Sequence, residues 1–217
     1  MAEEPSMPDS DVGREAPRAA GFDALVERTS GPQPWRRVFH AVNGLVAAAV
    51  LTWTDISRGT ALWILGAFVI VLGSLDVVRL ASRDANAVFF KAFRHLASPR
   101  EARGPASSTL YASGLFLVVA LFPRPAAISG ILLLALPDPA ASWVGRRWGR
   151  HPFFGGSLEG SGIFLLVSLI VLLPRHPWPV ALAAALSATF AERLGWPLDD
   201  NLVVPLSGAL VVTLLGS

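Results

Sequence analysis

Seven apolar stretches follow one another through this chain with only short polar connections between them: Val38–Trp53, Thr60–Leu80, Leu110–Phe122, Pro125–Pro137, Gly162–Leu173, Pro177–Phe190 and Leu202–Gly216. A soluble fold has little room to bury so much apolar chain. A straight membrane-crossing helix needs roughly 20 apolar residues. Several of these stretches are shorter, so their helices are expected to extend into polar flanks. Short spans broken by Gly and Pro are tolerated where the backbone lines a protein-enclosed cavity. Composition agrees: 53% of residues are hydrophobic, 16% are charged and the mean hydropathy is +0.51, whereas ordinary soluble domains are about 25% charged. The expected fold class is all-α, a polytopic membrane helix bundle of about seven transmembrane helices.

One further segment, Arg83–Ala97, reads RDANAVFFKAFRHLA. Val88, Phe89, Phe93 and Leu96 fall near one helical face, with Lys91, Arg94 and Arg83 elsewhere. This pattern predicts an interfacial amphipathic helix. Residues 1–34 are polar, acidic and rich in Pro and Gly, and lack the apolar core of a secretory signal. They are expected to form a disordered cytoplasmic tail, with a short helix around Phe22 to Arg28. The membrane domain is then 35–217. There are no cysteines, hence no disulfide framework or thiolate metal site. A net charge of +2 gives no reason to expect a nucleic-acid partner. No repeat period of 20–50 residues is evident, and no inverted pair of broken helices points to a secondary transporter.

Charge sets the expected orientation. Basic residues crowd alternate connections: Arg36 and Arg37, then Arg79 to Arg103, then Arg146, Arg147 and Arg150, then Arg193. The other connections hold only Arg58, Arg124 and Arg175. By the positive-inside rule, the N-terminus is cytoplasmic and the C-terminus outside. The same parity puts Asp138–Ser161, Glu192 and Asp199–Asn201 on the cytoplasmic side.

The segment Asp138–Ser161, DPAASWVGRRWGRHPFFGGSLEGS, is too charged and too glycine-rich to be a simple connector. Asp138 ends an apolar run. A carboxylate there is costly unless it is paired, hydrated or bound to metal. Pro137 and Pro139 are expected to kink the chain and turn Asp138 into a polar pocket; the plainer role is a helix-end acid facing water. Ala141, Gly145 and Gly149 suit either close helix packing or close approach of a phosphate. Arg146, Arg147 and Arg150 serve as a topological anchor, as guanidinium forks for phosphate, or as both. The run Gly155, Gly156, Ser157, Leu158, Glu159 precedes an apolar helix, whose free N–H groups form an anion site. It does not match the soluble P-loop pattern. Glu159 fits a Mg²⁺ role, or compensates the helix dipole. Glu192, Asp200 and Asn201 add hard oxygen donors, Asn201 having helix capping as its plainer role. His40 lies four residues after Arg36 on the same helical face, either structural or available as a base.

Taken together, these residues resemble the CTP-dependent lipid kinase family, comprising dolichol kinase, phytol kinase and the CTP-using diacylglycerol kinases, near the phosphatidate cytidylyltransferases. The matching pieces are WRRVFH; the pair Asp76 and Arg79; SPREARG; Asp138, Ala141, Gly145 and Gly149; GGSLEGS; and AERLGWPLDDN, running from Trp35 to the C-terminus. The resemblance implies transfer of the γ-phosphate of CTP to the hydroxyl of a membrane lipid alcohol, with Mg²⁺. It implies Asp138, Arg36, Arg37 and His40 as catalytic residues. It implies Gly145, Gly149 and Ser157 at the nucleotide, to which the reading of the residues themselves adds Arg146, Arg150, Gly155 and Gly156, and Asp138, Glu159, Glu192, Asp200 and Asn201 at the metal. One departure stands out: the family's GKS lysine is Gly156 here. Arg147 or Arg150 covers its loss, or nucleotide choice changes, or activity is weakened. The competing readings are a cytidylyltransferase that makes a CDP-lipid, and a non-catalytic lipid-binding relative.

Overall fold

The computed structural model describes residues 21–31, 33–194 and 199–216. Among these the chain is all-α apart from one small hairpin. The helices are α1 (Pro34–Trp53), α2 (Arg58–Ala81), α3 (Arg83–Ala92), α4 (Ser107–Leu121), α5 (Arg124–Ala135), α6 (Pro137–Trp148), α7 (Leu158–Leu172), α8 (Trp178–Leu194) and α9 (Asp200–Leu215). A 3₁₀ turn spans Pro99–Ala102, and β1 (Pro152–Phe153) pairs antiparallel with β2 (Gly156–Ser157). All seven apolar stretches lie on helices: α1, α2, α4, α5, α7, α8 and α9. Two helical segments are long and apolar enough to cross a membrane by length and composition, Arg58–Ala81 and the near-continuous Arg124–Trp148.

Local chemistry sets the helix ends. Ser57 and Ser82 cap α2 and α3, accepting from the Thr60 and Ala85 amides, which satisfies amides left free in a first turn. Pro34, Pro125 and Pro137 open α1, α5 and α6, where a missing N–H costs nothing. At the end remote from the charged cluster, Arg58 Nε donates to Val119 O at 3.0 Å, and Arg124 Nε donates to Leu51 O at 2.6 Å. Both arginines thereby serve the carbonyl ends of α4 and α1, where the helix dipole favours a cation.

α5 is the pole of the bundle. Every residue from Ala126 to Ala135 is buried, with α1 and α9 packed against it. Glycines bring backbones together there. A Cβ on Gly130 would stand 2.6 Å from Pro205 O, and one on Gly114 would collide with Asn201 O. The outer surface is apolar instead of polar. α2 exposes Trp63, Phe68, Ile70, Val71, Val77 and Val78, and only 11% of its most apolar window is buried.

Two expectations change. The segment after Leu136 is not an open connector: it continues as α6, with Asp138 in its first turn. Pro137 and Pro139 break the helix at Leu136 but are tolerated in the first turn of the next one, whose N–H groups have no intrahelical acceptor. The helix expected over Arg83–Ala97 ends at Ala92. Its buried side is carried by Asn86 and Phe90, while Val88 and Phe93 of the expected apolar face stay exposed, as a face turned to a membrane interface would be. Residues 21–27 are helical. Phe22 meets Phe90 edge-on at 5.8 Å, and Gln33 Nε2 donates to Ala97 O. The remainder of the expected tail, residues 1–20 and 32, lies outside the described residues, as do residues 195–198 between α8 and α9.

Candidate active site

The charged residues of α1, α6, α8 and α9 meet at one end of the bundle. Arg36, Arg37, His40, Asp138, Glu192, Asp200 and Asn201 line one pocket, joined by Arg100 and Ser107. It adjoins a cleft of about 550 Å³ lined by Arg37, Asp138, Gly145, Arg146, Gly149, Arg150, Gly155, Gly156, Ser157, Glu192 and Arg193. The two share Arg37, Asp138 and Glu192. Residues spread over more than 150 positions of sequence therefore form one polar site.

Asp138 and Arg37 form its centre. Arg37 Nε lies 3.9 Å from Asp138 Oδ2. Arg37 Nη1 is buried and has no hydrogen-bond partner among the described residues. A buried donor without a partner is costly, and an anion in the cleft would satisfy it. Burial pushes the Arg37 guanidinium below the usual arginine range, with Asp138 opposing that shift. Arg36 points to a different acid. Its Nη1 lies 3.7 Å from Glu101 Oε1, which also accepts from Ser107 Oγ at 2.8 Å.

The acids crowd one another. Burial raises Glu192 above the ordinary carboxylate range, Arg193 works against it, and Asp138 adds to it. Burial, then the charge of Asp199, push Asp200 up to about 7. Asp199 itself is held low despite its burial, by hydrogen bonds from Asp200 and Asn201. Asp199, and not Asn201, caps α9: its Oδ1 accepts from the Asn201 amide at 3.0 Å. The Asn201 side chain donates to the same oxygen at 2.5 Å. Among the described residues no three His, Asp or Glu side chains gather as a metal cluster.

The glycine-rich run forms the hairpin β1–β2. Its turn residues, Phe154 and Gly155, both have positive φ, 39° and 73°, as the tightest hairpin turns demand. Only glycine takes that conformation freely, so Phe154 is a strained position. Ser157 caps α7, its Oγ accepting from the Gly160 amide at 3.1 Å. A Cβ on Gly149 would stand 2.7 Å from Ser157 Oγ, and one on Gly145 3.0 Å. The spaced small residues of α6 thus let it pack against the start of α7 while their open side faces the cleft.

Glu159 does not join the other acids. Its Oε1 pairs with His151 Nδ1 at 2.7 Å, and its Oε2 accepts from the His151 amide. That hydrogen bond, foremost, lowers the carboxyl to about 2. Glu159 therefore braces the base of the hairpin. Asp76 and Arg79 lie away from the cleft as well. Arg79 Nε meets Asp76 Oδ1 at 2.6 Å, and Arg79 also donates to Glu101 O and Gly104 O. Asp76 Oδ2 accepts from the Ala106 amide and from Thr109 Oγ1. This buried hub fixes the turn that carries Glu101 beneath Arg36. Arg100 and Glu101 were within reach of sequence reasoning through SPREARG; the places of Ser107 and Arg193 were not.

No family model and no solved structure matches the chain. Two curated proteins are similar. CTP-dependent diacylglycerol kinase 1 of Schizosaccharomyces pombe is 32% identical over 126 residues, covering 48% of this chain and 58% of that protein. Phytol kinase of a Synechocystis strain is 35% identical over 99 residues, covering 38% of this chain and 41% of that protein. The chain spans about half the length of the curated relatives it matches. These relatives support the resemblance to the CTP-dependent lipid kinase family that the six motifs carry.

Proposed function

We propose that this chain is an integral membrane kinase that transfers the γ-phosphate of CTP to the hydroxyl of a membrane lipid alcohol of the polyprenol, phytol or diacylglycerol type. The observation that carries the reading is a junction. The charged pocket around Asp138 shares Arg36, His40 and Ser107 with an apolar cavity of about 220 Å³ lined by Phe39, Leu72, Leu75, Phe89, Phe93 and Leu96. A phosphate-sized polar site abutting a greasy one suits an acceptor with an apolar body and a single hydroxyl.

The outward apolar face of α2 and the apolar lengths of the bundle support membrane insertion; the proposed arrangement has seven helices crossing, the N-terminus cytoplasmic and the site on the cytoplasmic side. An exposed apolar surface of this size marks a membrane or protein contact. Trp143 and Trp148, 4.9 Å apart and exposed near the cleft, suit the headgroup level.

Phosphoryl transfer chiefly needs positioning and charge neutralisation. In the proposed reaction the lipid oxygen bonds to the γ-phosphorus, the bond from that phosphorus to the β–γ bridging oxygen breaks, and CDP leaves with the electron pair. The hydroxyl proton passes to a carboxylate of the Asp138–Asp200 group. Arg37, with its buried unpartnered nitrogen, and the Arg146–Arg150 edge hold the triphosphate. Mg²⁺ commonly takes one or two carboxylates and completes its shell with phosphate oxygens and water, so the donor set fits without a preformed cluster. Asp138, with Glu192 or Asp200, would hold it, and it would supply neutralisation of phosphate charge.

The test is the purified protein in detergent with γ-labelled CTP, Mg²⁺ and a panel of lipid alcohols. Labelled phospholipid with CDP is expected. Pyrophosphate with a CDP-lipid from phosphatidate would replace this reading by cytidylyl transfer. No turnover and no nucleotide binding would leave a non-catalytic lipid-binding protein.

A further inference from the structure

The position that departs from the family pattern is already occupied. A Cβ built on Gly156 would fall inside the guanidinium of Arg193, 2.7 Å from Cζ and 3.2 Å from Nη2. Arg193 comes from the last turn of α8, and its side chain is only 13% exposed. Its Nε stands 2.5 Å from Glu192 Oε2. The head of this arginine lies on the bare backbone of β2, in the cleft that also holds Arg37, Asp138 and Gly149. Any side chain at 156 and the guanidinium of Arg193 compete for the same space. A glycine there is therefore not simply a missing cation; it is a seat.

We infer that Arg193 is the cation that grips the β- and γ-phosphate oxygens of the nucleoside triphosphate, supplied by α8 instead of by the hairpin. The inference rests on the nucleotide reading of the same cleft. A guanidinium presents a planar fork of donors that binds phosphate bidentately. It lines the same cleft as Arg37 and Asp138, so two cations border that space. The Glu192 carboxylate, 2.5 Å from Nε, aligns the arginine. Arg147 and Arg150, the other substitutes for a loop lysine, are on the exposed end of α6 and beyond it; neither lies on Gly156.

The experiment compares wild type with Arg193→Ala, Gly156→Ala, Gly156→Lys and the double variant Gly156→Lys with Arg193→Ala. Readouts are tripolyphosphate binding by calorimetry in detergent, the KM for CTP, and the melting temperature. Arg193→Ala is expected to weaken tripolyphosphate binding and raise the nucleotide KM roughly 10- to 100-fold, the usual range for a hydrogen bond to a charged group. Gly156→Ala displaces only the end of a flexible side chain, so it should weaken binding while the protein still melts near the wild-type temperature. Gly156→Lys alone should weaken binding, and the double variant should regain it, because one cation again has one seat. A merely structural arginine would lower the melting temperature in Arg193→Ala, leave tripolyphosphate affinity untouched and give no rescue, which overturns the inference. Normal CTP turnover with unchanged affinity in every variant sinks the inference alone. A wild type that binds neither tripolyphosphate nor CTP sinks the inference and the kinase reading together. Should Arg193→Ala fail to fold, Gly156→Ala and Arg193→Gln decide the matter by the same readouts.

Discussion

Arg37 Nε and Asp138 Oδ2 stand 3.9 Å apart across the cleft, tying the first turn of α1 to the first turn of α6. The two residues are far apart in sequence and meet because α1 and α6 both attach to α5, one along its side and one at its end. Arg37 keeps a buried nitrogen without a protein partner, and Asp138 is 43% exposed toward the cleft. The pair is loose enough to open for a ligand that carries both phosphate and metal.

Asp138→Asn preserves the shape of the side chain but removes its charge and its capacity to accept a proton. The expected result is a loss of turnover of at least about 100-fold, with expression and melting temperature close to wild type, because Asp138 is only weakly engaged by Arg37. Steady-state assay with CTP and the preferred lipid alcohol checks this. Undiminished turnover would remove Asp138 from the proposed chemistry.

Glu159→Gln should behave differently from the other acids. Its carboxylate is committed to His151, so its replacement should leave the magnesium titration of activity unchanged and loosen the hairpin instead. His151→Ala should produce the same change, and the double variant no further one, since both remove one contact. Limited proteolysis at the hairpin is the second readout. A shifted magnesium midpoint in Glu159→Gln would place that acid at the metal after all.

The Asp76–Arg79 hub is a stability element. Every polar group of Arg79 that the turn offers a partner is used, and Asp76 accepts from a backbone amide and a hydroxyl as well. Arg79→Ala leaves the Asp76 carboxylate buried without its countercharge, a loss that costs about 3 to 5 kcal/mol when a buried pair is broken. A clear fall in melting temperature in detergent is expected, and Asp76→Ala with Arg79→Ala should recover part of it. Equal melting of wild type and Arg79→Ala would contradict the hub.

The apolar runs were legible because they carry their own energetics: each of the seven stretches is helical, and the bends between them fall at Pro, Gly and Ser where caps are available. The convergence of Arg37, Asp138, Glu192 and Asp200 was legible through the alternation of basic connections. Other features were not. α6 is hidden by Pro137, Asp138 and Pro139, which read as a break although a first helical turn accepts them. The hairpin has no Asn-Gly or Asp-Gly signal, and its turn is made by Phe154 in a conformation that its side chain disfavours. Glu159 looks like one more acid until its partner eight residues back is seen. The seat of Arg193 on Gly156 is a tertiary contact between two elements, and no local spacing announces it.

Leu72 lies half-buried in the apolar cavity beside Arg36, His40 and Ser107. Leu72→Trp should fill the cavity while leaving the phosphate cleft, whose residues it does not touch, as it was. If the lipid body occupies this cavity, the KM for the acceptor rises roughly 10-fold or more, given that even one methylene in an apolar pocket is worth about 1–3 kcal/mol of discrimination. The KM for CTP should stay near wild type. Short-chain alcohols should suffer less than long ones, because they need less of the filled volume. The check is a set of acceptor and nucleotide titrations on the same preparation. A parallel rise in both KM values would mean that the substitution has distorted Arg36 and His40, and unchanged acceptor kinetics would place the lipid chain elsewhere on the bundle.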